Sequence, residues 1–136
     1  LGGAGSIRST AADLLRFLAA QLVAPAGVLG AALTMTQEPR VELPPRRGVP
    51  VVMGGGLGWM TQGYPGTGRM IHWHNGATYG SQSFVAFERA AGTAVVVLMA
   101  RGRGVLDVVV KAPTGDAIGS AVLRAMSAST AGSSDS

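Results

Sequence analysis

The chain has 136 residues, 47% of them hydrophobic and 13% charged, which makes it one domain long and excludes wholesale disorder. Its formal charge of +4 rests on ten arginines and one lysine, but the basic pairs Arg46/Arg47 and Arg101/Arg103 are short and separate. With no basic helix face and no aromatics interleaved among the basic residues, nucleic acid is not an expected partner.

Aromatic residues make up only 5% of the chain while glycine contributes 21 residues, so the core is expected to be built mainly from Ala, Val, Leu and Met. Cysteine is absent, which excludes disulfides and thiolate metal sites and leaves the compartment open.

In chain order, GGAGSIRSTAADLLRFLAAQL reads as a glycine loop feeding a helix. Thr10 with Asp13 three positions later is a capping-box variant, offering the first free N–H groups an acceptor and the helix dipole a negative charge. Leu14, Leu15, Leu18 and Leu22 recur at helical spacing, Arg16 points away, and Pro25 ends the element. Residues 26–37 form a short second helix. Residues 38–50 hold four prolines in thirteen positions and read as a surface loop. The period then changes. VVMGGGLGWMTQ is read as one glycine-rich strand, RMIHWHNGAT as a second, SQSFVAFER as a third and TAVVVLMAR as a fourth. The last is continuously apolar, as in a strand covered on both faces. Ala91-Gly92 is a hairpin-like connection that makes the third and fourth strands antiparallel neighbours.

Val105–Lys111 reads as a further short strand or an apolar loop. Thr114–Met126 returns to helical spacing behind Pro113. The fold class is therefore α+β: three to four antiparallel strands with an N-terminal and a C-terminal helix packed on the sheet. The domain spans residues 1–127, with 128–136 a disordered tail. The longest apolar run, Ala94–Ala100, falls far short of the ~20 residues of a membrane span, and no targeting segment is recognisable, so no localisation is assigned. A first residue of Leu1 rather than Met leads to the expectation of a further segment upstream.

The stretch HWHNGATYGSQSFVAF, residues 72–87, carries the chemistry. His72 and His74 share one strand face, a legitimate start for a zinc or copper site. They are the only two histidines in the chain, however, and Glu88, Asp107 and Asp116 fall at no recurrent ligand spacing, so no metal is assigned. A second reading makes His72 and His74 half-buried strand residues and Asn75-Gly76 a bare turn.

A third reading comes from the order of features. His74-Asn75-Gly76, Ala77-Thr78 and Gly80, followed by Ser83–Phe87 and then Thr93–Met99, resemble the third motif and following strands of the penicillin-recognising serine hydrolases. That superfamily comprises class C β-lactamases, DD-peptidases and β-lactamase-like esterases, whose motif is Lys-Thr-Gly or His-x-Gly. AGSIRSTAADLLRFL resembles the family's glycine–Ser/Thr–Asp helix start, and GGGLGWM its strand ahead of the third motif. The similarity runs from about Gly3 to Met126 and implies a partial β-lactamase/DD-peptidase-like fold, with acyl-enzyme chemistry on an ester, amide or β-lactam and no cofactor. Members of the family are often periplasmic, secreted or associated with the cell envelope.

By that resemblance His74 stands at the basic position of the motif and the backbone N–H of Ala77 is the strand-borne oxyanion donor. Asn75, Gly76, Thr78 and Tyr79 are the substrate-binding positions, with Asn75 directing its side chain towards the ligand and Gly76 allowing close backbone approach. Imidazole titrates near neutrality, which makes this position more pH-sensitive than the usual lysine.

The departures from the pattern are equally definite. The one lysine, Lys111, has Val108 three residues before it, so no Ser-x-x-Lys exists in the chain. No Tyr-x-Asn or Ser-x-Asn precedes the third motif, and Tyr79-Gly80-Ser81-Gln82-Ser83 lacks the second glycine of a nucleophile elbow. The expectation is the C-terminal part of a serine hydrolase, inactive alone by the family mechanism. It would partner a missing N-terminal segment or self-associate through a sheet edge. The alternatives are a non-catalytic binding or assembly domain, or a small hydrolase using Ser81 or Ser83.

Overall fold

The computed structural model describes residues 5–45, 47–48, 50–101 and 113–132, the side chains of 130–132 excepted. Helix α1, Ala11–Val23, starts where Thr10 takes an extended conformation and its Oγ1 accepts the N–H of Asp13 at 3.1 Å. The Thr10 hydroxyl in turn donates to the Asp13 carboxylate at 2.8 Å, closing the capping box. The helix stops at Ala24, which adopts a left-handed conformation (φ 49°) and returns its N–H to the carbonyl of Ala20 at 2.9 Å. Helix α2, Val28–Gln37, then leaves at about a right angle. Among the described residues no single helix is long and apolar enough to cross a membrane.

The sheet is a fully antiparallel meander in the order β1-β2-β3-β4-β5-β6. Its strands are β1 (Val41–Glu42), β2 (Val52–Gly55), β3 (Met60–Tyr64), β4 (Arg69–Thr78), β5 (Ser81–Glu88) and β6 (Thr93–Met99). The α+β class stands, but six strands replace the expected three to four. The difference has two physical sources. VVMGGGLGWMTQ is not one strand: Gly58 takes φ +84° and Gly56 N–H reaches Trp59 C=O at 2.8 Å, so the run folds back into the β2–β3 hairpin. The proline-rich segment also contributes two residues, Val41 and Glu42, that pair with Gly55 and Gly54. Asn75-Gly76 is not a turn either. Both lie within β4, paired with Phe84 and Ser83, and the chain reverses at Tyr79-Gly80.

Two layers of side chains flank the sheet. Leu18 of α1 packs with Trp59 and Phe87, against Leu22, Val85, Ala94 and Val96. On the opposite face Leu123 meets Ile71, Phe84, Ala86 and Val95, with Tyr64, Trp73 and Val97 at the margin. Strand β6 thus feeds alternate side chains to both layers, which is why its sequence is continuously apolar. The few aromatics are concentrated here rather than left to an aliphatic core. Trp59 and Phe87 meet edge to face at 5.0 Å, and Trp73 lies over Phe84 at 6.1 Å.

The second layer is closed by helix α3, Gly115–Gly132. It runs past the expected end at Met126, so residues 128–132, read as tail, are helical; 133–136 and Val105–Lys111 lie outside the described residues. Gly119 is the point of closest approach, since a Cβ built there would sit 2.2 Å from Phe84 Cδ1. A polar pin adds direction. Arg69 binds Glu88 through both carboxylate oxygens, at 2.7 and 2.9 Å, and Ser127 of α3 donates to Glu88 at 2.7 Å. Glu88 is 1% exposed, so its charge depends on these partners. The Arg69 hydrogen bond is the largest influence holding the carboxyl below its ordinary range, against desolvation and with help from Ser127.

Two outcomes follow. Gly119→Ala gains about 1 kcal/mol of helix propensity but must move Phe84 or lift α3. Overpacking of this kind costs about 1–3 kcal/mol, so the variant is expected to unfold at lower denaturant than the parent. For Glu88, a depressed folded-state pKa means stability that is present above the ordinary carboxylate value and lost as pH falls through the folded one. Glu88→Gln is expected to cost about 2 kcal/mol near neutral pH, discounted because Arg69 is partly exposed. It should also flatten the acid limb of a denaturation-versus-pH curve; an unchanged acid limb would contradict the pin.

Candidate functional site

Strand β4 is longer than the strand on one side of it. β3 begins at Met60, opposite Trp73, whereas β5 accompanies β4 to the pair Thr78–Ser81. Residues His74–Thr78 therefore have a strand neighbour on the β5 side only, among the described residues. Among these residues β4 is central up to Trp73 and an edge only beyond it. In a two-residue hairpin the closing pair, here Thr78 and Ser81, exchanges hydrogen bonds, so Gly76 and His74 face β5 as well. The alternate residues Asn75 and Ala77 then aim their N–H and C=O groups at the open side. Ala77 N–H is thus directed away from the ladder, where an external acceptor can reach it.

The side chains divide between the two faces. His74 is exposed, and its Nδ1 lies 2.7 Å from the Asn75 carbonyl. A carbonyl only accepts, so Nδ1 donates this bond, and among the described residues Nε2 makes none. Gly76 is on the same face, and a Cβ there would stand 2.9 Å from Ser83 Oγ. A larger residue would therefore displace that serine towards the edge. Thr78 closes the strand with its hydroxyl 2.7 Å from that of Ser81, and Tyr79 at the turn is fully exposed. The loop ahead of α1 also reaches this end, since a Cβ on Gly5 would touch Thr78 Cγ2 at 3.4 Å.

Asn75 behaves otherwise. Its side chain is on the opposite face from His74 and donates to Asp116 in the first turn of α3 at 2.8 Å. It ties the strand to the helix rather than reaching over the His74 face. A second tie runs from Gly115 N–H to Gln82 Oε1 at 3.4 Å. Asp116 was missed in the sequence because nothing in the spacing of residues 75 and 116 couples them; only the packing of α3 brings them together.

His72, the other histidine, is part of the fold. It is buried, stacked on Phe87 at 4.8 Å, with Nε2 at 2.9 Å from the Gln37 carbonyl. Among the described residues no group of three or more His, Cys, Asp or Glu side chains is arranged to hold a metal. Neither Ser81 nor Ser83 is hydrogen-bonded to His74. A hollow of ≈ 110 Å³ is present, but it lies under α3 against Tyr64, Trp73 and Phe84, on the face away from His74. Two of its lining residues meet the motif strand: Asp116, bonded to Asn75, and Phe84, paired with Asn75 across the ladder.

The Beta-lactamase family model matches residues 1–119, which takes in α1, the whole sheet and the start of α3. No curated protein and no solved structure matches the chain. A match over most of its length, in the same order as the motifs, means that the chain belongs to the Beta-lactamase family of serine hydrolases.

Proposed function

We propose that this chain carries the substrate-binding strand of a serine hydrolase that works through an acyl-enzyme on an ester, amide or β-lactam, with the nucleophile supplied by residues outside these 136. The observation that carries the reading is the open edge of β4 from His74 to Thr78. An extended substrate laid along it meets the outward N–H and C=O of Asn75 and the outward N–H of Ala77.

In the reaction, a serine hydroxyl gives its proton to a base as its oxygen attacks the substrate carbonyl and the C=O electron pair moves onto oxygen. The pair then returns, expelling the alcohol or amine with that proton, and water releases the acid from the acyl-enzyme. The Ala77 N–H donates to that oxyanion, and one such donor is worth about 3 kcal/mol in the transition state. His74, whose Nε2 makes no hydrogen bond among the described residues, is placed to hold the substrate carboxylate or to pass a proton. Gly76 keeps the approach clear, and Thr78 and Tyr79 border the far end. Asn75 contributes its backbone, while its side chain and Asp116 fix the strand. Substitution of His for a permanently charged Lys favours an ester or peptide over a β-lactam carboxylate, and no cofactor enters the scheme.

The absent nucleophile has a structural counterpart. The β1 edge of the sheet is only two residues long and is followed by prolines, a guarded edge. The β6 edge, TAVVVLM, has neither charge nor proline along its seven residues. Together with exposed Leu15, Val122 and Met126, it favours a complementing polypeptide, with self-pairing of the chain when that polypeptide is absent. Sedimentation is expected to show concentration-dependent association; a strictly monomeric species at high concentration would contradict it.

The activity is tested by mass spectrometry after incubation with a fluorophosphonate and, separately, a penicillin. The chain alone is expected to remain unlabelled, and a form extended to include a Ser-x-x-Lys segment is expected to acquire one adduct. His74→Ala in the extended form should lower acylation at least tenfold. A stoichiometric adduct on the chain alone, lost in Ser81→Ala or Ser83→Ala, would replace this mechanism with one using those serines. Silence from both forms would favour a binding or assembly role.

A further inference from the structure

His72 stands two residues from the motif but serves another purpose. It is 6% exposed and paired across the ladder with Thr61 and Phe87. Its ring is nearly parallel to Phe87, at 4.8 Å and 10°. Nε2 donates to the Gln37 carbonyl at 2.9 Å, since a carbonyl can only accept. That leaves Nδ1 of the neutral ring as a buried lone pair, and no described residue hydrogen-bonds it.

Gln37, the last residue of α2, is the hub. Its Nε2 donates to the Gln21 carbonyl at 3.0 Å and to Gln21 Oε1 at 2.7 Å, joining α2 to α1. Its Oε1 accepts from Arg89 at the end of β5 at 3.4 Å. Elsewhere α2 is weakly held. It buries only Gly30 and Leu33 besides Gln37, and its Val28, Leu29 and Met35 are exposed.

We propose that His72 is an acid-sensitive latch that holds the α1–α2 pair on the sheet, so that protonation of the ring as pH falls below neutral loosens that pair while α3 stays docked. A second ring proton would create a buried N–H donor with no acceptor, inside an aromatic stack. It would also place a cation near Arg89. Among the described residues no carboxylate faces the ring to offset this. On β5, Glu88 is on the opposite face with Arg69 and Ser127; Glu38, after α2, pairs with exposed Arg40; and Asp13 of α1 pairs with Arg16. The remaining neighbours, Gln21, Gln37, Thr61 and Phe87, are uncharged.

Burial is the largest influence on the ring and holds its pKa below the ordinary 6.5; the Gln37 bond opposes this and Arg89 reinforces it. The sign follows directly. Stability from the neutral ring is complete above the unfolded value and is lost as pH falls through it, because the opened form takes up the proton more readily. Opening is therefore expected to rise, by up to about tenfold, between about pH 7.5 and about pH 5.5.

Amide hydrogen exchange on the whole chain tests this, after correction for intrinsic rates. Amides of α1 and α2 should open more often, by up to about tenfold, at the lower pH, those of α3 should not change, and His72→Asn should abolish the step. Because that variant also removes the ring stacked on Phe87, an NMR titration of the His72 ring in the parent decides independently, with a midpoint below the ordinary histidine value expected. Equal protection at both pH values, a step that survives His72→Asn, or a ring that titrates at or above 6.5 would each overturn the proposal.

Discussion

The molecule turns on an offset along one strand. β4 is ten residues long and β5 follows it to its tip, whereas β3 begins only at Met60, opposite Trp73. Backbone groups in a sheet interior are consumed by the ladder, and those at an edge, as from His74 to Thr78 among the described residues, remain available. The offset produces both conditions in one strand. The first half of β4 is locked on both sides and buries Ile71 and His72; the second half offers Asn75 and Ala77 outward. A rigid element that ends in free hydrogen-bonding groups is what a preorganised binding edge requires.

The rest of the structure keeps that edge in place. One aromatic layer, Trp59 and Phe87 with Leu18, fixes α1 to the sheet, and another, Phe84 with Leu123, fixes α3. The closeness of α3 depends on Gly119, and its direction on Glu88 and Ser127. That placement brings Asp116 to Asn75, so the motif is braced from behind by a helix remote in sequence. The two faces are held by different titratable groups: His72 on the α1–α2 side, where burial disfavours the charged ring, and Glu88 on the α3 side, where Arg69 favours the charged carboxylate.

Much of this was legible in the residues. The Thr10/Asp13 cap, the doubly covered β6 and the hairpin before it all follow from local chemistry, and the motif order gave the family. What escaped has identifiable causes. Glycine hides the strand signal, so VVMGGGLGWMTQ looked like one strand although the turn at Gly58 divides it. Asn75-Gly76 has the strongest hairpin composition in the chain, but eight paired residues between β4 and β5 outweigh the preference of two. The alternation that places His72 and His74 on one face says nothing of depth, and depth separates them: one is inside under Phe87 and the other outside. The Asn75–Asp116 tie depends on tertiary packing alone.

The central claim is that β4 is open on one side beyond Trp73, and residue-resolved amide exchange of the chain reads that directly. The account predicts slow exchange at His74, Gly76 and Thr78, whose N–H groups bond to β5, and fast exchange at Asn75 and Ala77, whose N–H groups face outward. Uniform protection from His74 to Thr78 would mean that the edge is covered, and the binding strand argued above would not exist.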